Sequence, residues 1–148
     1  MKIRYNYITV LLYIVFNLVI SMPKTVVSAE GIRWYPYNEG IAQAASSKKK
    51  IFLHFYAQWC PYCERMNRES FTQPNIISFL DKNFVSIRVD IDKENELAAA
   101  YNVRGVPANW FLSESGEKIG NLPGYVAADR FRALLEYVHS DGYKKDKN

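Results

Sequence analysis

Cysteine is scarce in this chain, which has only Cys60 and Cys63 among its 148 residues. There is no second Cys-x-x-Cys pair, and the only two histidines are His54 and His139. Because a structural zinc ion needs four ligands, usually cysteines and histidines at short spacings, this composition speaks against a zinc site. The residue after Cys63 is Glu64 rather than histidine, which excludes covalent attachment of haem through this pair.

The sequence also lacks a hydrophobic run long enough to cross a membrane as a helix. Its longest run, residues 8–20, has about 13 residues, whereas a spanning helix needs about 20. The run follows a basic N-terminus and precedes small residues at 27–29, which is the order found in secretory signal peptides. We therefore expect residues 1–29 to be a signal peptide cleaved near Ala29, with residues 30–148 as one domain. An uncleaved N-terminal anchor is the alternative.

The chain carries little net charge once this segment is set aside. The formal charge of +4 falls to about +1 because Lys2, Arg4 and Lys24 (three charges) lie in the predicted signal peptide. The basic pI therefore gives no reason to expect a nucleic-acid partner. Secretion would place the protein in an oxidising compartment, where two cysteines can pair.

Apolar segments with strand and helix patterns follow one another along the predicted domain. Residues 51–56 form an apolar run with the composition of a buried strand, and residues 84–91 alternate as a strand does. Residues 32–37 are predicted to form an edge strand or an extended arm, because they contain Pro36. Further strands are predicted at 108–112 and 118–121, and helices at 38–45, 61–70, 75–81, 94–101 and 129–139. The charged tail, residues 141–148, is expected to fray. This order predicts an α/β sandwich with a mixed central sheet.

The cysteine pair stands where a predicted strand gives way to a predicted helix. At that position the sulfur of Cys60 lies near free N–H groups and the positive end of the helix dipole, which stabilise a thiolate. Cys63, one turn further, can reach back, so Cys60 is predicted to attack a disulfide and Cys63 to resolve the product. A purely structural disulfide is disfavoured because so short a loop restricts the unfolded chain little. A Cu(I) site that adds the thioether of Met66 remains an alternative.

Two longer motifs resemble the thioredoxin superfamily. These are FYAQWCPYC at 55–63, after an apolar strand, and YNVRGVP at 101–107. The segments FTQPNIISFL and PGYVAADRF look most like the C-terminal thioredoxin-like domain of the membrane thiol:disulfide interchange protein DsbD and its secreted stand-alone relatives. The resemblance covers residues 42–138 and implies a thioredoxin fold, with helices on both sides of a mixed central sheet.

The resemblance also implies roles for the residues around the cysteines. Pro107 would be a cis-proline packed against the disulfide, and the backbone of Val106 would pair with a bound substrate chain. Gly124 matches the glycine of a loop that closes the third side of the site; an ordinary turn glycine is the alternative.

The residues flanking the cysteines are predicted to meet the partner. Trp59 would shield the site and offer an aromatic face, and Pro61 and Tyr62 form an intervening pair that resembles the one in glutaredoxins. Glu64 and Arg65 are expected on the outer face of the helix, where surface charge without a specific role is the favoured interpretation.

His54 departs from the family pattern, because thioredoxins and the DsbD domain usually have a buried acid at this position. An imidazole with a reference pKa near 6.5 could move the proton of Cys63, or His54 could be a core histidine satisfied by one hydrogen bond. Arg88 occupies the position of a family lysine that interacts with this acid, and is expected to be solvated or paired at the surface.

The sequence thus predicts a periplasmic or otherwise secreted thiol-disulfide oxidoreductase, of reductase type, with catalytic residues Cys60, Cys63, Pro107 and His54. The expected partners are protein disulfide substrates and a membrane electron donor of DsbD type, and the protein is expected to be a monomer. No dissociable cofactor and no metal are required. The alternatives are a thiol oxidase or isomerase of the same fold, the Cu(I)-binding module, and a redox-dependent chaperone.

Overall fold

A five-stranded mixed sheet lies at the centre of the computed structural model, which describes residues 6–7 and 31–145. The predicted signal peptide, residues 1–29, lies outside the described residues except for positions 6 and 7. The strands are β1 (Trp34–Tyr35), β2 (Lys50–Tyr56), β3 (Phe84–Asp90), β4 (Ala108–Leu112) and β5 (Lys118–Pro123). The helices are α1 (Tyr37–Ser47), α2 (Pro61–Glu69), α3 (Pro74–Asn83), α4 (Asn95–Ala100), α5 (Ala128–His139) and α6 (Gly142–Lys145).

The strand order β1-β3-β2-β4-β5 combines a parallel unit with an antiparallel hairpin. Strands β1 and β2 run parallel to β3, whereas β4 runs antiparallel to both β2 and β5. This register puts His54 of the central strand β2 between Arg88 on β3 and Asn109 on β4. The predicted mixed sheet is confirmed.

Alternation along β2 divides the core into two layers. Leu53 and Phe55 pack on the face covered by α1 and α4, and Phe52 packs on the face covered by α2, α3 and α5. His54 shares the face of Phe52, since their rings lie 6.1 Å apart and the ring of Phe71 lies 5.0 Å from His54. His54 is therefore part of the layer beneath the helix that carries the cysteines.

Two segments differ from their sequence-based predictions. The edge strand is shorter than 32–37 and ends at Tyr35, because Pro36 has no N–H to donate to a ladder. The tail expected to fray contains the short helix α6 as far as Lys145, where Asp141 forms ion pairs with Lys50 (2.9 Å) and Lys144 (3.2 Å). Within the described residues, the structure has no helix with the length and hydrophobicity that crossing a membrane requires.

Gly40 is required where α1 packs on the sheet. A Cβ atom at this position would lie 2.6 Å from Cδ1 of Ile87, a fully buried side chain of β3. Although alanine favours helices over glycine, we expect Gly40→Ala to lower the free energy of unfolding by about 1–3 kcal/mol, the usual cost of overpacking.

Urea unfolding measures this effect, with Gly120→Ala as the matched control, because a Cβ atom there meets no atom within 4 Å. A Gly40→Ala protein as stable as the unchanged one would contradict the packing described.

Candidate functional site

The two cysteines form a disulfide at the N-terminus of α2. Cys60 is the N-cap residue, and its sulfur accepts a hydrogen bond of 3.1 Å from the backbone N–H of Cys63. Pro61 occupies the first turn, where its fixed φ suits the helix and its missing N–H costs nothing. On reduction, the same N–H and the helix dipole would stabilise a thiolate at Cys60.

The two cysteines are buried. Cys60 is 4 % exposed and Cys63 1 % exposed, and Ala57 and Val106 pack against the pair. Both cysteines are thus buried, and Cys60 is slightly the more exposed of the two.

The loop before β4 touches the disulfide. The Val106–Pro107 peptide bond is cis, and the carbonyl oxygen of Val106 lies 3.5 Å from Sγ of Cys60. The carbonyl of Pro107 accepts a hydrogen bond of 2.7 Å from the N–H of Gly124. Gly124 has a φ of +85°, which favours glycine. The structure therefore places Val106 against the cysteines and links Gly124 to the neighbouring Pro107.

A groove of about 330 Å³ runs along this loop. Its lining includes Val106, Trp110 and Asn121, and Arg104 supplies the only charged side chain. Sequence reasoning did not single out Arg104, although it lies within the YNVRGVP motif.

Two aromatic side chains next to the cysteines face solvent. Trp59 is 67 % exposed and Tyr62 58 % exposed. The indole N–H of Trp59 donates a 2.8 Å hydrogen bond to Asp92, which fixes the ring at the surface. Trp59 thus offers an exposed aromatic face next to Cys60. Asp92, on the turn after β3, was missed because only the tertiary fold brings it close.

The outer face of α2 carries ordinary helix ion pairs. Glu64 pairs with Arg68 at 2.7 Å and Arg65 with Glu69 at 3.0 Å, and all four side chains are exposed. In addition, Arg65 lies 4.5 Å over the ring of Tyr125, whose hydroxyl donates to Glu69 at 2.5 Å. Side chains of α2 therefore contact the loop after β5 through Tyr125.

His54 belongs to a buried polar network that the sequence did not reveal. Its Nδ1 lies 2.9 Å from Oδ1 of Asn109, and both residues are fully buried. The amide nitrogen of Asn109 donates to the carbonyls of Leu122 and Gly124, both at 3.0 Å. Because both amide hydrogens are used, Oδ1 must accept, and we assign the proton of His54 to Nδ1. Its Nε2 has no hydrogen-bond partner within the described part of the chain.

Burial lowers the pKa of His54 to about 3; the charge of Arg88 acts in the same direction, and the hydrogen bond to Asn109 opposes them. The imidazole is therefore neutral around pH 7. The expectation that it titrates near neutrality is not met, and the alternative of a core histidine with one hydrogen bond fits the structure.

Arg88 is half-buried rather than solvated. Its guanidinium lies 3.8 Å from the ring centre of Tyr56 and 5.6 Å from that of Trp34, and it donates to Asn67 at 3.2 Å. Burial lowers its pKa from the usual value. Aromatic rings and an amide thus replace the buried acid that this family position commonly faces.

Met66, the residue that suggested copper, is fully buried in the apolar layer that contains Phe52 and Phe131. This is the environment of a core methionine. Within residues 6–7 and 31–145, no cluster of three or more His, Cys, Asp or Glu side chains could hold a metal ion.

Known proteins with similar sequences include a family of thioredoxin-like domains and two thiol:disulfide interchange proteins. The profile of a family described as a thioredoxin-like domain matches residues 37–139. The thiol:disulfide interchange protein DsbD of Vibrio vulnificus is 32% identical over 104 residues, which cover 66% of this chain and 17% of that protein. TxlA of Synechococcus elongatus, also called a thiol:disulfide interchange protein, is 34% identical over 68% of this chain and 52% of its own length. The chain thus spans only a small part of the DsbD protein.

Solved structures show the same fold. A thioredoxin from Thermus thermophilus superposes with a TM-score of 0.66 at 33% identity, covering 72% of this chain and 86% of that one. The C-terminal domain of Neisseria meningitidis DsbD, in its oxidised form, has a TM-score of 0.56 at 25% identity and covers 70% and 97%.

Proposed function

This chain belongs to the thioredoxin-like family and is a relative of DsbD, and from this premise we propose that it is a thiol-disulfide oxidoreductase that reduces disulfide bonds in partner proteins. The observation that carries the proposal is the position of the Cys60–Cys63 disulfide, at a helix N-terminus and in contact with the carbonyl of Val106. This arrangement favours a thiolate at Cys60 and offers a backbone acceptor beside it.

The reaction consists of two exchange steps. The Cys60 thiolate attacks one sulfur of the partner's disulfide, whose S–S bond breaks as a mixed disulfide forms; the displaced partner sulfur leaves as a thiolate and takes a proton. Cys63, after losing its proton, then attacks the sulfur of Cys60 and releases the second partner sulfur. The partner gains two electrons and two protons, and the Cys60–Cys63 disulfide forms again. No dissociable cofactor takes part.

The reducing direction rests on likeness to DsbD. We propose that a membrane protein of DsbD type restores the dithiol and that the protein works as a monomer on secreted substrates with oxidised cysteines. The exposed rings of Trp59 and Tyr62 and the groove beside Pro107 provide a surface for such a polypeptide.

Secretion is proposed from the N-terminal sequence. Removal of residues 1–29 would leave the family domain intact, since the family match begins at residue 37. Intact mass measurement of protein recovered from the periplasm tests this: a chain that begins at residue 30 supports cleavage, whereas an N-terminus at Met1 contradicts it.

Trapping of the mixed disulfide tests the exchange mechanism. Reduced Cys63→Ser protein, incubated with insulin whose disulfide bonds are intact, should form a covalent adduct. The adduct should be stable without reductant, because the thiol that would break its bond to Cys60 is missing. Mass spectrometry detects the adduct. Cys60→Ser is the matched control, since its remaining thiol is the inner, less exposed one. Equal adduct formation by both variants, or none by Cys63→Ser, would refute the assigned roles.

A further inference from the structure

Asn109 connects three parts of the molecule through one buried amide. Its oxygen accepts from Nδ1 of His54 on β2, and its nitrogen donates to Leu122 on β5 and to Gly124 in the loop beyond. Burial of an amide is costly unless its hydrogen bonds are made, and the three bonds, at 2.9–3.0 Å, satisfy this one.

These bonds end beside the cysteines. Gly124, whose carbonyl accepts from Asn109, donates its own N–H to the carbonyl of Pro107 at 2.7 Å. Pro107 follows Val106, which touches Cys60. Loss of the Asn109 amide would therefore remove the hydrogen bond that holds the carbonyl of Gly124. The separation between the two loops that border the groove would then increase.

We propose that Asn109 is a positioning residue for partner binding: oriented by His54, it holds the Gly124 loop against the loop of Pro107. This role rests on the proposed function, because it concerns the surface that would receive the partner's polypeptide.

His54 and the two carbonyls together fix the direction of the amide. The NH₂ group of Asn109 points to the two carbonyls, which leaves Oδ1 to accept the N–H that His54 carries at Nδ1. A carboxylate at position 54 would instead attract the NH₂ group and withdraw donors from Leu122 and Gly124. Histidine at 54 and asparagine at 109 are thus suited to each other.

Kinetics with two classes of reactant test the proposal. Asn109→Leu is similar in size but makes none of the three hydrogen bonds. We expect kcat/KM for insulin reduction to fall about 10-fold, the effect of one hydrogen bond, because only the bond to Gly124 holds a loop of the groove. The fall should arise mainly from a higher KM. The rate constant for reduction of the Cys60–Cys63 disulfide by dithiothreitol, which needs no polypeptide groove, should stay within about twofold.

Asn83→Leu is the matched control, since it removes an amide bonded to Phe79 within α3. Equal losses with insulin and dithiothreitol, or no loss with insulin, would overturn the proposal.

Nitrogen NMR of the unchanged protein supplies a test that needs no variant. Long-range ¹H–¹⁵N correlations of His54 should show a protonated Nδ1 and an unprotonated Nε2 at pH 7. The opposite tautomer would overturn the proposal, because the amide of Asn109 would then be turned the other way. An unchanged protein that cannot reduce insulin would refute the proposed function, and the NMR result would still decide the orientation of the amide.

Discussion

Replacing Cys60 by serine should lower the rate of protein-disulfide reduction by more than about 10³-fold, the scale on which loss of a nucleophile acts in enzymes that form covalent intermediates. A serine hydroxyl at the same N-cap position is not ionised at neutral pH, and it cannot donate electrons to a disulfide by forming a mixed disulfide. The fold should persist, because serine is a good N-cap residue and can accept the N–H bond of Cys63.

Stopped-flow measurement of insulin reduction checks this result, with circular dichroism to confirm folding. Cys63→Ser gives the informative contrast, since it should complete the first exchange and stall at the second. A Cys60→Ser protein that still turns over many equivalents of insulin would remove Cys60 from the mechanism.

Acid should lower the free energy of unfolding of this protein because His54 is protonated when the chain unfolds. The folded state holds its pKa at about 3 because the ring is buried, whereas an unfolded histidine titrates near 6.5. Between these values the unfolded chain binds more protons than the folded one, so stability rises with pH. The contribution of His54 is complete above about pH 6.5 and is lost as the pH falls towards about 3, by up to about 1.4 kcal/mol per pH unit.

His54→Gln isolates this contribution, because glutamine can donate to Asn109 but does not titrate. Urea unfolding from pH 7 to pH 3.5 should show the unchanged protein losing several kcal/mol relative to this variant, a large part of the stability of a typical domain. His139→Gln controls for the loss of one histidine from the chain. Parallel pH profiles for His54→Gln and the unchanged protein would contradict the buried neutral imidazole.

The fold was accessible from sequence because its signals are local. Alternating and continuous apolar runs marked β2 and β3, and Pro61 marked the start of α2. The edge strand is shorter than the aromatic segment because Pro36 ends the pairing, and α6 was missed because ion pairs to Asp141 help hold a charged tail.

The site was predictable only where a motif marks it. The cysteines and Val106–Pro107 stand in recognisable motifs, and the structure places them in contact. Asn109 was missed because one polar residue in a strand usually faces solvent, and its partner His54 is 55 positions away. Contacts of this kind depend on strand register, which periodicity alone does not determine.

The reduction potential of the Cys60–Cys63 pair tests the central claim most directly. Equilibration with glutathione buffers of known ratio, followed by acid quenching and thiol alkylation, gives the fraction of dithiol at each potential. A reductase should show a value well below about −220 mV, so that electrons pass from Cys60 and Cys63 to oxidised partners. A value near about −120 mV, typical of a strong thiol oxidant, would contradict the reducing role proposed for this protein.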